Sequence, residues 1–97
     1  MQTFKDVKFK QHSIGKGNIQ GLLMLPNGIE LSIVAGEGMY SSGKNGVRGP
    51  VDKPEDATSF EVAVIDQDGE FISDGDDLVL GWQSREDINN KIVELTK

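Results

Sequence analysis

Two apolar runs stand out along the chain, at residues 19–25 and 29–35, and a short polar break separates them. In the second run apolar residues occupy every other position, which is typical of a strand with one face on a core. The break contains Asn27 and Gly28, and both residue types tolerate the positive φ that a type I′ turn requires. The pattern therefore predicts an antiparallel β-hairpin closed by a type I′ turn.

Alternating apolar residues return in three further segments. Residues 3–9 alternate with one break in the spacing, which indicates a strand with an irregularity. Residues 59–66 alternate regularly, and the acidic turn after them leads into a return strand at 70–73. A short last strand is expected at 78–82. The chain thus holds enough strands for a small antiparallel sheet.

A helix is predicted for about residues 84–96. Ser84 can cap its first turn with its hydroxyl, and acidic residues follow where the helix dipole favours them. Ile88, Ile92 and Leu95 recur at helical spacing and form one apolar stripe that needs a sheet to cover it. We expect one α+β domain over residues 1–97, in which about four to six antiparallel strands are packed by this C-terminal helix.

Residues 36–57 follow neither a helical nor a strand period. Glycine, serine and proline are frequent there, and a segment of this length without regular structure is usually functional or disordered. We expect Met39 and Tyr40 to be exposed in this loop as binding anchors. The alternative is that Tyr40 folds back onto an open edge of the sheet. Trp82, just before the helix, is expected to pack beneath the helix in the core.

The composition excludes several classes of protein. The chain has no cysteine, so it contains no disulfide scaffold, thiolate nucleophile or cysteine-bound zinc. The N-terminus does not have the pattern of a signal peptide, and the apolar runs are too short to span a membrane. These features favour a cytoplasmic protein.

The net charge of −6 is distributed unevenly along the chain. Residues 1–20 carry a net charge of +3, whereas residues 50–97 carry −9. An acidic surface repels a phosphate backbone, so direct nucleic-acid binding is not expected. The acidic half could instead face a basic partner, or it could serve only solubility.

Three motifs resemble catalytic or metal-binding sites, and none is complete. Residues 38–45 nearly match a phosphate-binding loop, but Asn45 replaces the required hydroxyl and no helix is predicted after it. The acidic turns at 66–69 and 74–77 do not have the spacing of a calcium-binding loop. His12 is the only histidine, and no nearby residue completes a nucleophilic triad with it. We expect neither an enzyme nor a cofactor.

Residues 25–36, with their Asn-Gly hairpin, are followed by an FEVA strand in residues 59–64 and by a GWQ helix entry in residues 76–83. In this order the segments resemble small proteins encoded by tailed bacteriophages, in which a glycine- and serine-rich loop stands between the hairpin and the FEVA strand. The resemblance spans about residues 19–95. It implies an accessory protein made in an infected bacterium, and it assigns no functional residue.

The expected function is binding to a host or viral protein, as a non-enzymatic module that inhibits a host factor by occlusion. The candidate partner-binding residues are Met39, Tyr40, Lys44, Arg48, Asp66, Asp68, Asp74 and Asp76. One alternative is a small-ligand or nucleotide-binding module that presents the backbone N–H groups of the glycine-rich loop to an anion. Another is a structural component of the virion. Within the main reading, the acidic half could also mimic nucleic acid.

Overall fold

A computed structural model of the chain describes residues 2–43, 45–72 and 79–96. Its elements, in chain order, are a 3-10 helix at Phe4–Asp6, β1 (Lys8–Gln11), β2 (Asn18–Met24), β3 (Glu30–Gly36), a 3-10 helix at Pro54–Asp56, β4 (Phe60–Ile65), β5 (Leu80–Gln83) and α1 (Arg85–Leu95). The strands form one antiparallel sheet in the order β1-β2-β3-β4-β5. This architecture confirms the predicted α+β class with one C-terminal helix.

The sheet curls strongly around its core. The rings of Phe9 on β1 and Phe60 on β4 are 5.8 Å apart, although two strands lie between them. In a flat sheet those strands would be separated by about 14 Å. The bend passes over Gly21 on β2, where an added Cβ would collide with the side chain of Val7. Glycine at this position therefore lets the N-terminal segment close over the core.

The predicted apolar stripe of α1 lies against this concave face. Ile88 and Ile92 are fully buried in the same core as Phe60, and Leu95 is partly buried against it. Ser84 caps the helix as predicted, because its hydroxyl accepts from the N–H of Asp87 at 3.0 Å. The Asp87 carboxylate in return accepts from the N–H of Ser84 at 2.9 Å, which completes a capping box.

Three phenylalanines and an arginine form what we call the inner cluster: Phe4, Phe9, Phe60 and Arg85. The three rings lie 5.0 to 5.8 Å apart. The Arg85 guanidinium lies 5.2 Å from the ring centroids of both Phe4 and Phe60. It also donates to the carbonyl of Pro54 at 2.7 Å, so this cation is held from two sides.

Two local predictions near the strand ends are wrong. The irregularity in residues 3–9 is a 3-10 helix at Phe4–Asp6, and only the end of the segment enters β1. The hairpin turn is not type I′, because Gly28 has a φ of 86° whereas Asn27 does not have a positive φ. Proline at position 26 fixes a negative φ at the first turn residue, which favours a three-residue connection that ends in glycine.

The glycine-rich segment is anchored to the body of the protein. Val51 and Ala57 are buried in the core, and the N–H of Val51 donates to the carbonyl of Gly17 at 2.8 Å. The Ser41 hydroxyl, only 1% exposed, both accepts from the N–H and donates to the carbonyl of Gly36. The segment without sequence periodicity is thus fastened by scattered apolar and hydroxyl side chains.

Candidate functional site

A β-bulge between β4 and β5 places the most exposed aromatic residue of the protein. Phe60 pairs with Gln83 and Val62 with Leu80, so two residues of β5 stand opposite Glu61 alone. The second of these residues, Trp82, has a φ of 51° and is the only non-glycine residue with positive φ in the described part of the chain. A bulge of this kind redirects a side chain, and here it places an indole ring in solvent.

The backbone of Tyr40 fixes the start of the glycine-rich segment beside this bulge. Its carbonyl accepts from the N–H of Trp82 at 2.8 Å, and its own N–H donates to Oε1 of Glu61 at 3.0 Å. Gly81 permits the close approach, because a Cβ there would lie 3.0 Å from the Cβ of Tyr40. Tyr40 is therefore held to both strands that form the bulge.

The side chains of Tyr40, Trp82 and Arg48 form what we call the outer cluster. The two rings are 5.4 Å apart between centroids and are tilted by 41°. Tyr40 is 51% exposed and Trp82 is 57% exposed, so neither ring contributes a fully buried surface to the core. The Arg48 guanidinium lies 5.7 Å from the centroid of the tyrosine ring, within the range of a cation–π contact.

Arg48 differs from Arg85 in its polar partners. Within the described part of the chain, no carboxylate oxygen lies within 4.0 Å of the Arg48 guanidinium. Its only described side-chain interaction is the contact with the tyrosine ring. A guanidinium carries five N–H donors, so the outer cluster combines apolar rings with open donors.

Of the predicted site residues in the glycine-rich segment, Tyr40 and Arg48 come together and Met39 does not join them. Met39 is only 9% exposed, so the expectation that its side chain is an exposed anchor is wrong. For Tyr40 both alternatives hold in part, because its backbone pairs with the edge strand while its ring stays half exposed. Lys44 lies outside the described residues.

Of the predicted acidic site residues, Asp66 and Asp68 lie in a turn directly after β4. Oδ1 of Asp66 accepts from the N–H groups of Asp68 and Glu70 at 2.9 and 3.0 Å, so this carboxylate closes its own turn. The return segment after it reaches β4 only at a bridge between Phe71 and Ile65 in the described residues. Asp74 and Asp76 lie outside the residues that the structure describes.

Trp82 is the residue of the outer cluster whose position was wrongly predicted from the sequence, because it is exposed and not in the core. Leu80 points into the core, so strict alternation along β5 would also point Trp82 inward. The bulge inserts one residue and reverses that assignment. Gly81 was the available signal, because a glycine inside a short strand often marks a bulge.

A concavity lies beside the inner cluster. It has a volume of about 350 Å³ and is lined by Phe4, Lys5, Val7, Phe9, Pro54, Glu55 and Arg85. The Arg85 guanidinium in its wall already donates to Pro54 and covers two rings. The groove therefore lies beside an arginine and two rings that already have partners within the protein.

The described residues contain no group of three or more acidic or histidine side chains that could hold a metal ion. None of the described helices is long and apolar enough to cross a membrane. Comparisons with protein-family models, with curated proteins and with solved structures find no match for this chain.

Proposed function

We propose that this protein is a non-enzymatic, cytoplasmic protein-binding module that engages its partner through the outer cluster. One observation carries the proposal: two half-exposed aromatic rings and an arginine are held together at a β-bulge. Tryptophan, tyrosine and arginine are the residues that most often dominate binding energy at protein interfaces. Their rings offer a large apolar area with few rotatable bonds, so little entropy is lost when a partner covers them.

The backbone of Trp82 supports the same interpretation. A non-glycine residue with positive φ costs about 1 to 3 kcal/mol, and such strain is concentrated at functional sites. If the indole were buried, core packing would offset that cost. Trp82 is 57% exposed, so the folded monomer gains little from it. A partner that covers the indole would bury its apolar surface, and the free energy of that burial would offset the strain.

The rival reading, an anion site made by backbone N–H groups, has less support. Eleven described N–H groups of the glycine-rich segment already donate within the protein; they belong to Gly36, Glu37, Gly38, Met39, Tyr40, Ser42, Gly43, Gly46, Val51, Asp56 and Ala57. A phosphate cradle needs such groups to point at the ligand. An anion would therefore have to break existing hydrogen bonds before it could bind.

The resemblance to small tailed-phage proteins suggests where the partner is found. It favours a host or viral protein in an infected bacterium, and an inhibitor that acts by covering a surface of its target. Tyr40 and Trp82 are already exposed, so the protein can bind through them without a change in its core.

Affinity capture with surface variants tests the proposal. The tagged chain is compared with Tyr40→Ala, Trp82→Gly and the control Phe71→Ala, which removes an equally exposed aromatic ring (51%) outside the cluster. Captured bacterial and phage proteins are quantified by mass spectrometry, and the leading partner is then purified and titrated. We expect the parent and the control to bind it equally and both cluster variants to lose about tenfold or more in affinity.

Two results would contradict the proposal. One is the absence of any partner above background with the parent protein. The other is a purified partner that binds the parent, the control and both cluster variants with equal affinity. Deleting the whole glycine-rich segment is a poorer test, because Val51 and Ala57 are part of the core and the deletion would unfold the protein.

A further inference from the structure

The charge around Arg48 is unusual for so acidic a protein. The chain has 16 acidic residues and 10 basic ones, yet the Arg48 guanidinium has no carboxylate partner among the residues that the structure describes. Glu61, whose carboxylate contacts the backbone of the cluster, accepts from the N–H of Tyr40 instead. The positive charge of Arg48 is thus available to a partner.

The rings beside Arg48 determine what kind of group can reach it. A guanidinium that lies against a tyrosine face is kept from rotating freely, and an arginine fork matches a carboxylate with two parallel hydrogen bonds. The neighbouring indole extends the apolar surface past the cation. A complementary ligand therefore has a carboxylate with an apolar side chain next to it.

A cationic ligand fits this site poorly. Paired aromatic rings can by themselves attract an ammonium group. Here Arg48 already lies over the tyrosine ring, so a second cation would meet a like charge there. An anionic group is therefore the ligand that complements this cluster.

Resting on the proposed function, we infer that the outer cluster binds an acidic segment of the partner, in which an aspartate or glutamate is followed by an apolar side chain. The carboxylate pairs with Arg48, and the apolar side chain covers Tyr40 and Trp82. The net charge of −6 opposes a broadly acidic partner surface. At physiological salt the screening length is about 8 Å, so a short acidic segment senses mainly the local charge of Arg48.

Trp82 is the only tryptophan, so its emission reports directly on the cluster. The full-length protein is titrated at physiological salt with a blocked hexapeptide, Gly-Ser-Asp-Phe-Ser-Gly, and with versions that carry Asn or Lys in place of Asp. We expect the Asp peptide to bind about fivefold more tightly than the Asn peptide, and the Lys peptide most weakly. The peptides contain no tryptophan or tyrosine, so the emission change belongs to the protein.

Variants then test whether Arg48 causes the preference for the Asp peptide. Arg48→Gln is expected to bind the Asp and Asn peptides equally, and Arg48→Lys to keep part of the difference. Lys5→Gln, which removes a cation beside the inner cluster, should bind like the parent. Equal or tighter binding of the Asn or Lys peptide by the parent overturns the inference, and so does a lack of any emission change at about 10 mM Asp peptide.

The experiments distinguish failure of the acidic-segment inference from failure of the proposed binding function. A captured partner that is lost with Tyr40→Ala but kept at full affinity by Arg48→Gln refutes the acidic-segment inference and leaves the binding function standing. A parent protein that captures no partner refutes the binding function itself.

Discussion

The protein has two aromatic clusters, and each contains one of the two arginines of the chain. In the inner cluster Arg85 lies over two rings and donates to a carbonyl, and the rings pack on the core. In the outer cluster Arg48 lies over one half-exposed ring, and its donors meet no carboxylate of the described chain. The same residue chemistry stabilises the fold where the arginine donates within the protein, and it leaves an exposed surface where the arginine does not.

The largest difference between the clusters is expected for loss of a ring. Phe60→Ala removes a fully buried side chain and should lower the free energy of unfolding by about 3 to 5 kcal/mol. Tyr40→Ala removes a half-exposed ring and should cost about 1 kcal/mol or less. Urea denaturation followed by far-UV circular dichroism measures both. Similar losses for the two variants would mean that the outer cluster is part of the core.

The two arginines provide the next largest contrast. Arg85→Ala removes two cation–π contacts and a hydrogen bond, so we expect a loss of about 1 to 2 kcal/mol in the free energy of unfolding. Arg48→Ala should change it by no more than about 0.5 kcal/mol. The same denaturation experiment compares them. An equal loss in the free energy of unfolding for both variants would mean that Arg48 is bound within the protein as firmly as Arg85.

Relief of the bulge should separate stability from binding. Trp82→Gly removes the positive-φ strain and also the contact with the tyrosine ring, so the free energy of unfolding should stay level or rise by up to about 1 kcal/mol. Binding of the captured partner should fall sharply in the same variant. A clear loss of stability would show that the indole contributes to packing, against the exposed position described above.

The smallest effect is expected at the helix cap, which directly precedes Arg85. Hydrogen bonds from the backbone N–H of Ser84, and then from its hydroxyl, lower the pKa of Asp87 below its ordinary value. The carboxylate therefore contributes stability that is present above about pH 4, the unfolded-state value, and is lost as the pH falls through the lower folded-state pKa.

Asp87→Asn tests this cap. The difference in thermal midpoint between the parent and the variant should be constant above about pH 4 and shrink below it. Peptide binding at the outer cluster should be equal in both proteins at neutral pH, because the described side-chain contacts of Asp87 are with Ser84 alone. A stability difference that grows on acidification would contradict the sign of the pKa shift.

The parts of the fold that could be predicted from the sequence are those specified by neighbouring residues. The helix at Arg85–Leu95 follows from its cap and its apolar spacing, and the β2–β3 hairpin follows from two apolar runs around a turn. The type of turn was wrong, because proline at position 26 outweighs the Asn-Gly preference.

The candidate site was predictable only in part. Tyr40 and Arg48 were identified because an aromatic and a cation stand out in a polar segment. The burial of Met39 and the exposure of Trp82 were missed, since the first depends on where the segment returns to the core and the second on one inserted residue in β5. Neither of these properties appears in local periodicity.

The strand order has a consequence for how the chain folds. Each strand pairs with its neighbour in sequence, so the sheet can grow by adding one strand at a time. The connections at residues 12–17 and 25–29 are short, whereas residues 37–59 and 66–79 separate the next two pairs of strands. The closing contact spans more of the chain, because the N–H of Phe4 donates to Oδ1 of Asn89, 85 positions away. Because this contact joins the segment before β1 to α1, both of these parts must be in place before the core is closed. During synthesis the core would therefore remain open on this side until the helix that carries Asn89 has emerged from the ribosome.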